Sequence, residues 1–69
     1  MKWIDPKIEM PKLGQDVLVY VKTKTYNQNY MTIAYFCEDK KEWWSSDIGS
    51  IEDHNFWVSH WTPLPKNPE

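Results

Sequence analysis

Two histidines, one cysteine and a set of eleven aromatic side chains hold the chemistry open to this chain. His60 follows Ser59 directly. A serine beside an imidazole is the smallest unit for nucleophilic catalysis, because the ring must take the hydroxyl proton. The pair must also lie within hydrogen-bond reach. Neighbours on a β-strand point to opposite faces, so Ser59 and His60 are expected to diverge. His60 is therefore read first as a structural tie, to a backbone carbonyl or to the N-terminal segment, and second as a ligand contact. His54 lies near Glu52, Asp53 and Asp47. These donor types suit a metal, but no His-x-His or His-x₃-His spacing accompanies them, and a solvated loop is expected instead. Cys37 stands beside an acid rather than a base, poor company for a nucleophilic thiolate. It reads as a small apolar strand residue. No catalytic residue, no metal ligand and no cofactor is assigned.

The aromatics are the stronger signal. Trp43 and Trp44 are adjacent, so on a strand one faces inward and the other outward. An outward tryptophan in a small domain needs cover, from its own chain, a second subunit or a ligand. In strict alternation Phe56, Val58 and His60 share one face of the last strand; Trp57, Ser59 and Trp61 share the other. Tyr26 and Tyr30 flank the first hairpin and are placed to join either aromatic surface. Aromatic faces stack on planar ligands for ~1–3 kcal/mol each. The expected ligand- or partner-binding residues are thus Trp43, Trp44, Trp57, Trp61, His60, Tyr26 and Tyr30. Lys22, Lys24, Lys40 and Lys41 are available to balance a phosphate, although no Gly-rich phosphate loop is present.

Strands must position these groups. Val17-Leu18-Val19-Tyr20-Val21 is β-branched and almost continuously apolar, as in a central strand covered on both faces. Tyr30 to Cys37 alternates as a second strand. Glu38 to Lys41 is a charged turn, and Glu42 to Ser46 a short third strand. Asp47 to Asn55 contains Gly49 and reads as a loop. Phe56 to Trp61 is the fourth strand, ending near Thr62, because Pro63 and Pro65 offer no N–H to a ladder. Pro6, Pro11 and Gly14 punctuate an extended N-terminal arm, and Trp3 is expected against the last strand. The reading is all-β: a four-stranded antiparallel meander in the order 1-2-3-4, curled or forming an open barrel. One domain is expected over residues 1–69, with arm and turn at 1–15, sheet at 16–62 and a Pro-rich exit and tail at 63–69.

A chain of 69 residues buries little surface, and a core this small rarely supplies more than about 3–5 kcal/mol without a staple. A single cysteine excludes an internal disulfide. Large rings and self-association are the remaining routes, so a homo-oligomer is expected. The net charge is −2 and all eight basic residues are lysine. Without the bidentate guanidinium, duplex nucleic acid is not an expected partner. No stretch reaches the ~20 apolar residues needed to cross a bilayer. The N-terminus lacks the apolar core of a signal peptide, and the lone thiol suits a reducing compartment. A cytoplasmic location is expected.

Trp3-Ile4, then Pro11, Gly14 and Val17-Leu18-Val19, then Val58-Ser59-His60-Trp61-Thr62-Pro63-Leu64-Pro65 form a frame across nearly the whole chain. It resembles domain of unknown function 551, a family of short phage, prophage and bacterial proteins. Those members commonly open with Trp-Ile and close on Val-Thr-His-Trp-Met-Pro-Leu-Pro. Here Ser59 replaces the usual Thr and Thr62 the usual Met. The resemblance implies phage association and no mechanism. Together with the aromatics it leads to an expected role as a non-enzymatic binding protein: a counter-defence inhibitor, or a sponge for a planar, nucleotide-type ligand. The alternative is an aromatic-patch module that grips a host protein.

Overall fold

The computed structural model describes residues 2–24 and 29–65. They form an all-β fold of five strands. These are β1 (Val17–Thr23), β2 (Tyr30–Cys37), β3 (Glu42–Ser45), β4 (Gly49–Ser50) and β5 (Phe56–Pro63), with a short 3-10 helix at Glu52–His54. The order across the single antiparallel sheet is β4-β3-β2-β1-β5.

The expected meander is right from β1 to β3 and wrong after it, in strand number and in order. Gly49 takes φ of 74°, a left-handed conformation that glycine enters at no steric cost. The chain reverses there and lays Gly49 and Ser50 along β3. That occupies the outer edge of β3, so the last strand cannot pair with it. β5 pairs with β1 instead, Val19 opposite Trp61 and Val21 opposite Val58.

The crossover shows how strongly the sheet curls. The Ile51 N–H donates to the Trp43 carbonyl at 2.9 Å, and the Ile51 carbonyl accepts from the Phe56 N–H at 3.3 Å. In a flat sheet β4 and β5 would stand ~19 Å apart at the usual strand spacing. One buried residue bridging the β3 and β5 backbones requires the sheet to wrap around it. No ladder joins β4 to β5, so the barrel stays open.

The concave face holds the core. Val17, Val19, Val21 and Ile51 are fully buried, and Ala34, Trp43, Val58 and Trp61 complete the cluster. Phe36 packs edge-on against Trp43 with ring centroids 5.5 Å apart. The convex face is different. Leu18 and Tyr20 of β1 are only half-buried, so the expected cover on both sides of β1 is missing on one.

A bulge sets which aromatics reach the core. Tyr20 opposes His60 but Val21 opposes Val58, leaving Ser59 as an extra residue. Such an insertion shifts the alternation by one position. Phe56, Val58 and Trp61 therefore share the core side, while Trp57 and His60 face out. The simple alternation that grouped Trp57 with Trp61 fails for this reason.

The N-terminal segment is not extended throughout. Ile4 exchanges two backbone hydrogen bonds with Trp61, at 2.8 and 3.0 Å. The Asp5 carbonyl then accepts from the Ile8 and Glu9 N–H groups, and its carboxylate from the Lys7 N–H at 2.8 Å. Pro6 to Ile8 form a turn, with proline's fixed φ at its start. This turn carries the Glu9 carbonyl to the Trp61 indole, whose Nε1–H donates to it at 2.8 Å.

Candidate functional site

The expected binding residues do not gather into one site. Trp43 and Trp61 are core residues, 6% and 4% exposed. Tyr30 lies on the core side, edge-on to Phe56 at 6.3 Å. Burial pushes its phenol above the usual value, with the Asp47 carboxylate adding to the rise. Tyr26 falls outside the described residues. Trp44 does face out, but its own chain covers it. The Lys40 ammonium sits 4.4 Å from the ring centroid, and the indole Nε1–H donates to Glu42 at 3.2 Å. Gly49 lies against the ring: a Cβ there would stand 3.4 Å from it. Trp57 is 40% exposed on the convex face, opposite Lys22.

What the sheet does assemble is an open hollow of about 310 Å³ lined by Trp3, Tyr20 and His60. Register explains it. His60 opposes Tyr20 across the β1–β5 pair. The bridge of Ile4 to Trp61 pins the neighbouring Trp3 at the edge of β5. Trp3 then meets Tyr20 edge-on, centroids 6.0 Å apart and planes at 64°. Of the three, only His60 was among the expected site residues. The sequence puts Tyr20 in the first strand and Trp3 against the last, and points to neither as a site residue. The alternation of β1 carries a signal for Tyr20, since it falls between two valines on the opposite face. Nothing in the sequence states that Ile4 bridges Trp61.

The bulge also changes the Ser59–His60 relation. The two were expected on opposite faces; the extra residue instead brings Ser59 Oγ to 3.1 Å from His60 Nδ1. Ser59 Oγ–H donates to the Tyr20 carbonyl at 3.4 Å. Where the hydroxyl proton goes there, the hydroxyl accepts from His60 Nδ1–H; in the other imidazole tautomer it donates to Nδ1 instead.

The acids around His54 do not converge either. Among the described residues no group of three or more His, Cys, Asp or Glu is arranged to hold a metal. His54 Nδ1 meets the Ser50 carbonyl at 3.0 Å. The Ser45 hydroxyl holds Asp47 below the usual carboxylate range. Glu52 reaches back to accept from the Trp43 N–H at 2.9 Å, tying the crossover to β3. Burial raises the Glu52 carboxyl above its ordinary value, overcoming that hydrogen bond, and Glu42 and Asp53 add to the rise. A raised folded-state value means the ionised form is disfavoured by folding. The stabilising contribution is complete below the unfolded value and fades as pH climbs through the folded one. Glu52→Gln keeps an acceptor for Trp43 without the charge. It is expected to melt higher than the parent at pH 7 and to lose that advantage near pH 4. Calorimetric melts of both proteins across this range check the prediction, and an advantage independent of pH would contradict it.

A second hollow of about 260 Å³ lies toward the other end of the convex face, lined in part by Asp16, Ile33, Tyr35 and Trp44. The closing Val-Ser-His-Trp-Thr-Pro-Leu-Pro stretch thus supplies core (Val58, Trp61), bulge (Ser59) and hollow (His60) in turn. A family model covers residues 2–69 and is described as a protein of unknown function, DUF551. The chain belongs to DUF551. No curated protein and no solved structure matches this DUF551 chain. Among the described residues of this DUF551 domain no helix is long and apolar enough to cross a membrane, which says nothing of strands.

Proposed function

We propose that this domain captures a small planar ligand in the Trp3–Tyr20–His60 hollow and does no chemistry on it. The observation that supports this most directly is the convergence of three ring systems on one open hollow of about 310 Å³. That volume is at the low end for small-molecule sites, enough for a one- or two-ring heteroaromatic. Tyr20 and Trp3 supply apolar ring surface, and the ring stack accounts for affinity. In the tautomer with Nδ1 protonated toward Ser59, His60 Nε2 accepts from an N–H on the ligand edge. Lys22 follows Tyr20 by two residues on the same strand, hence on the same face, and offers a charge to an anionic tail. A nucleobase-bearing ligand with a phosphate fits all three features. In the phage setting that the family resemblance suggests, capture without turnover would deplete a nucleotide signal.

Thermal melts with a panel of free bases, nucleosides and mono- and cyclic nucleotides test the reading. A bound ligand at a hundred times its Kd stabilises the fold by ~2.7 kcal/mol, a shift of more than 10 °C at this chain length. Trp3→Ala should abolish that shift while the unliganded protein stays folded, because Trp3 is only half-buried at the sheet edge. If no member of the panel moves the melting temperature, capture of a planar ligand in this hollow is ruled out.

A further inference from the structure

We infer that the second hollow, built on the row Asp16–Tyr35–Trp44, takes a small primary alkylammonium ligand. This goes beyond the planar-ligand reading and does not depend on it. The hollow measures about 260 Å³, and Ile33 and Ser46 line it together with those three. Register builds the row. Tyr35 opposes Trp44 across the β2–β3 pair. Asp16 directly precedes Val17, whose partner on β2 is Ala34, so the same register sets Asp16 beside Tyr35. Side chains directly opposite on a sheet stand ~4.5–5.5 Å apart at Cβ. A carboxylate and two rings therefore follow one another across three neighbouring segments of the chain.

This lining selects charge of one sign. Ring faces carry partial negative charge and draw a cation. Trp44 already does so within its own chain, with the Lys40 ammonium 4.4 Å from the ring centroid. The Asp16 carboxylate is exposed, and among the described residues no hydrogen bond or ion pair engages it. Asp16 thus accepts an N–H from the guest, while the rings meet its charge and its stem. The two hollows differ in sign. The first has Lys22 two residues along β1 from Tyr20; this one has an acid in its lining.

Size limits the guest. Pockets of ~300–1,000 Å³ are usual for drug-sized ligands, so this smaller, open hollow suits an ammonium head on a short hydrocarbon stem. Ile33 and Tyr35, 47% and 37% exposed, give that stem apolar contact. A ligand of so few atoms binds weakly. Lys40 is a competitor built into the chain, because its charge repels a second ammonium near the same ring.

Titration with n-butylammonium chloride to about 100 mM tests the inference, at fixed ionic strength because salt screens such contacts. In proton–nitrogen spectra the Trp44 indole Nε1–H and the Asp16 and Tyr35 amides should shift along one saturable curve, with a Kd on the order of 1–10 mM. n-Butanol, with the same stem and no charge, should bind at least about tenfold more weakly. Asp16→Asn keeps the shape of an exposed side chain ahead of β1, so it should fold as the parent does. It should bind butylammonium about five- to tenfold more weakly. Lys40→Gln removes the competing charge and should tighten binding about two- to threefold. The absence of a saturable shift, equal binding of butanol, an Asp16→Asn variant that binds as tightly as the parent, or weaker binding by Lys40→Gln overturns the inference. None of these results touches the planar-ligand reading, whose melts are read on Trp3.

Discussion

Trp61→Ala should leave the protein without a cooperative melt. Trp61 is 4% exposed and faces Val19 across the β1–β5 pair. It is also the residue to which Ile4 bonds. Truncating a buried tryptophan costs about 3–5 kcal/mol through lost transfer and an unfilled cavity. A domain of this size has roughly that much stability in all. The loss also frees the Glu9 carbonyl from the indole N–H. Trp61→Phe separates the two effects. It keeps most of the ring but not the donor, so about 0.5–1.5 kcal/mol should go, a drop of several degrees. Circular dichroism melts read both variants. A cooperative transition in Trp61→Ala near the parental temperature would show that the core does not rest on this ring.

Deleting Ser59 should spare the fold, although it shortens β5 by a whole residue. The bulge puts Val58 and Trp61, three residues apart, on one face of β5. Strict alternation cannot do that, because residues three apart then point to opposite sides. With Ser59 gone, Val58 and Trp61 stand two apart, so regular alternation keeps both in the core and the Tyr20–His60 and Val21–Val58 pairs become neighbours in an unbroken ladder. Ser59→Ala keeps the backbone count and loses only the contacts to Tyr20 and His60. It should therefore fold, with a cost near 1 kcal/mol. Proton–nitrogen spectra of the two variants check this, and both should stay dispersed. A collapsed spectrum for the deletion would mean that the bend and twist of the bulge, and not only its effect on alternation, hold β5 against β1.

These two variants also mark where the sequence was readable. β1, β2 and β3 announce themselves through β-branched residues and alternation, and the turn between β2 and β3 is short and charged. Their register follows from adjacency. The placement of β5 does not, because pairing with β1 depends on a partner some forty positions away. Ser59 looks like any polar strand residue, and no side chain signals that a backbone will bulge. Gly49–Ser50 is too short to show a period, and only the left-handed glycine turns it back on β3. The bulge separates two tryptophans that alternation pairs. Trp61 went to the core, Trp57 stayed out, and Trp3 entered the hollow through a bridge made by its neighbour. His60 was the one candidate in the hollow legible from the sequence, and its contact with Ser59 was the opposite of what alternation implies.

The pairing of the last strand with the first also sets when the molecule can exist. During synthesis the valine row of β1 emerges early and waits with one neighbour, β2, while about thirty further residues are made. Only when Phe56 to Pro63 clear the ribosome does the other flank close. A nascent chain stalled at Asn55 carries its valines uncovered and sticky, a substrate for chaperones rather than a partial fold.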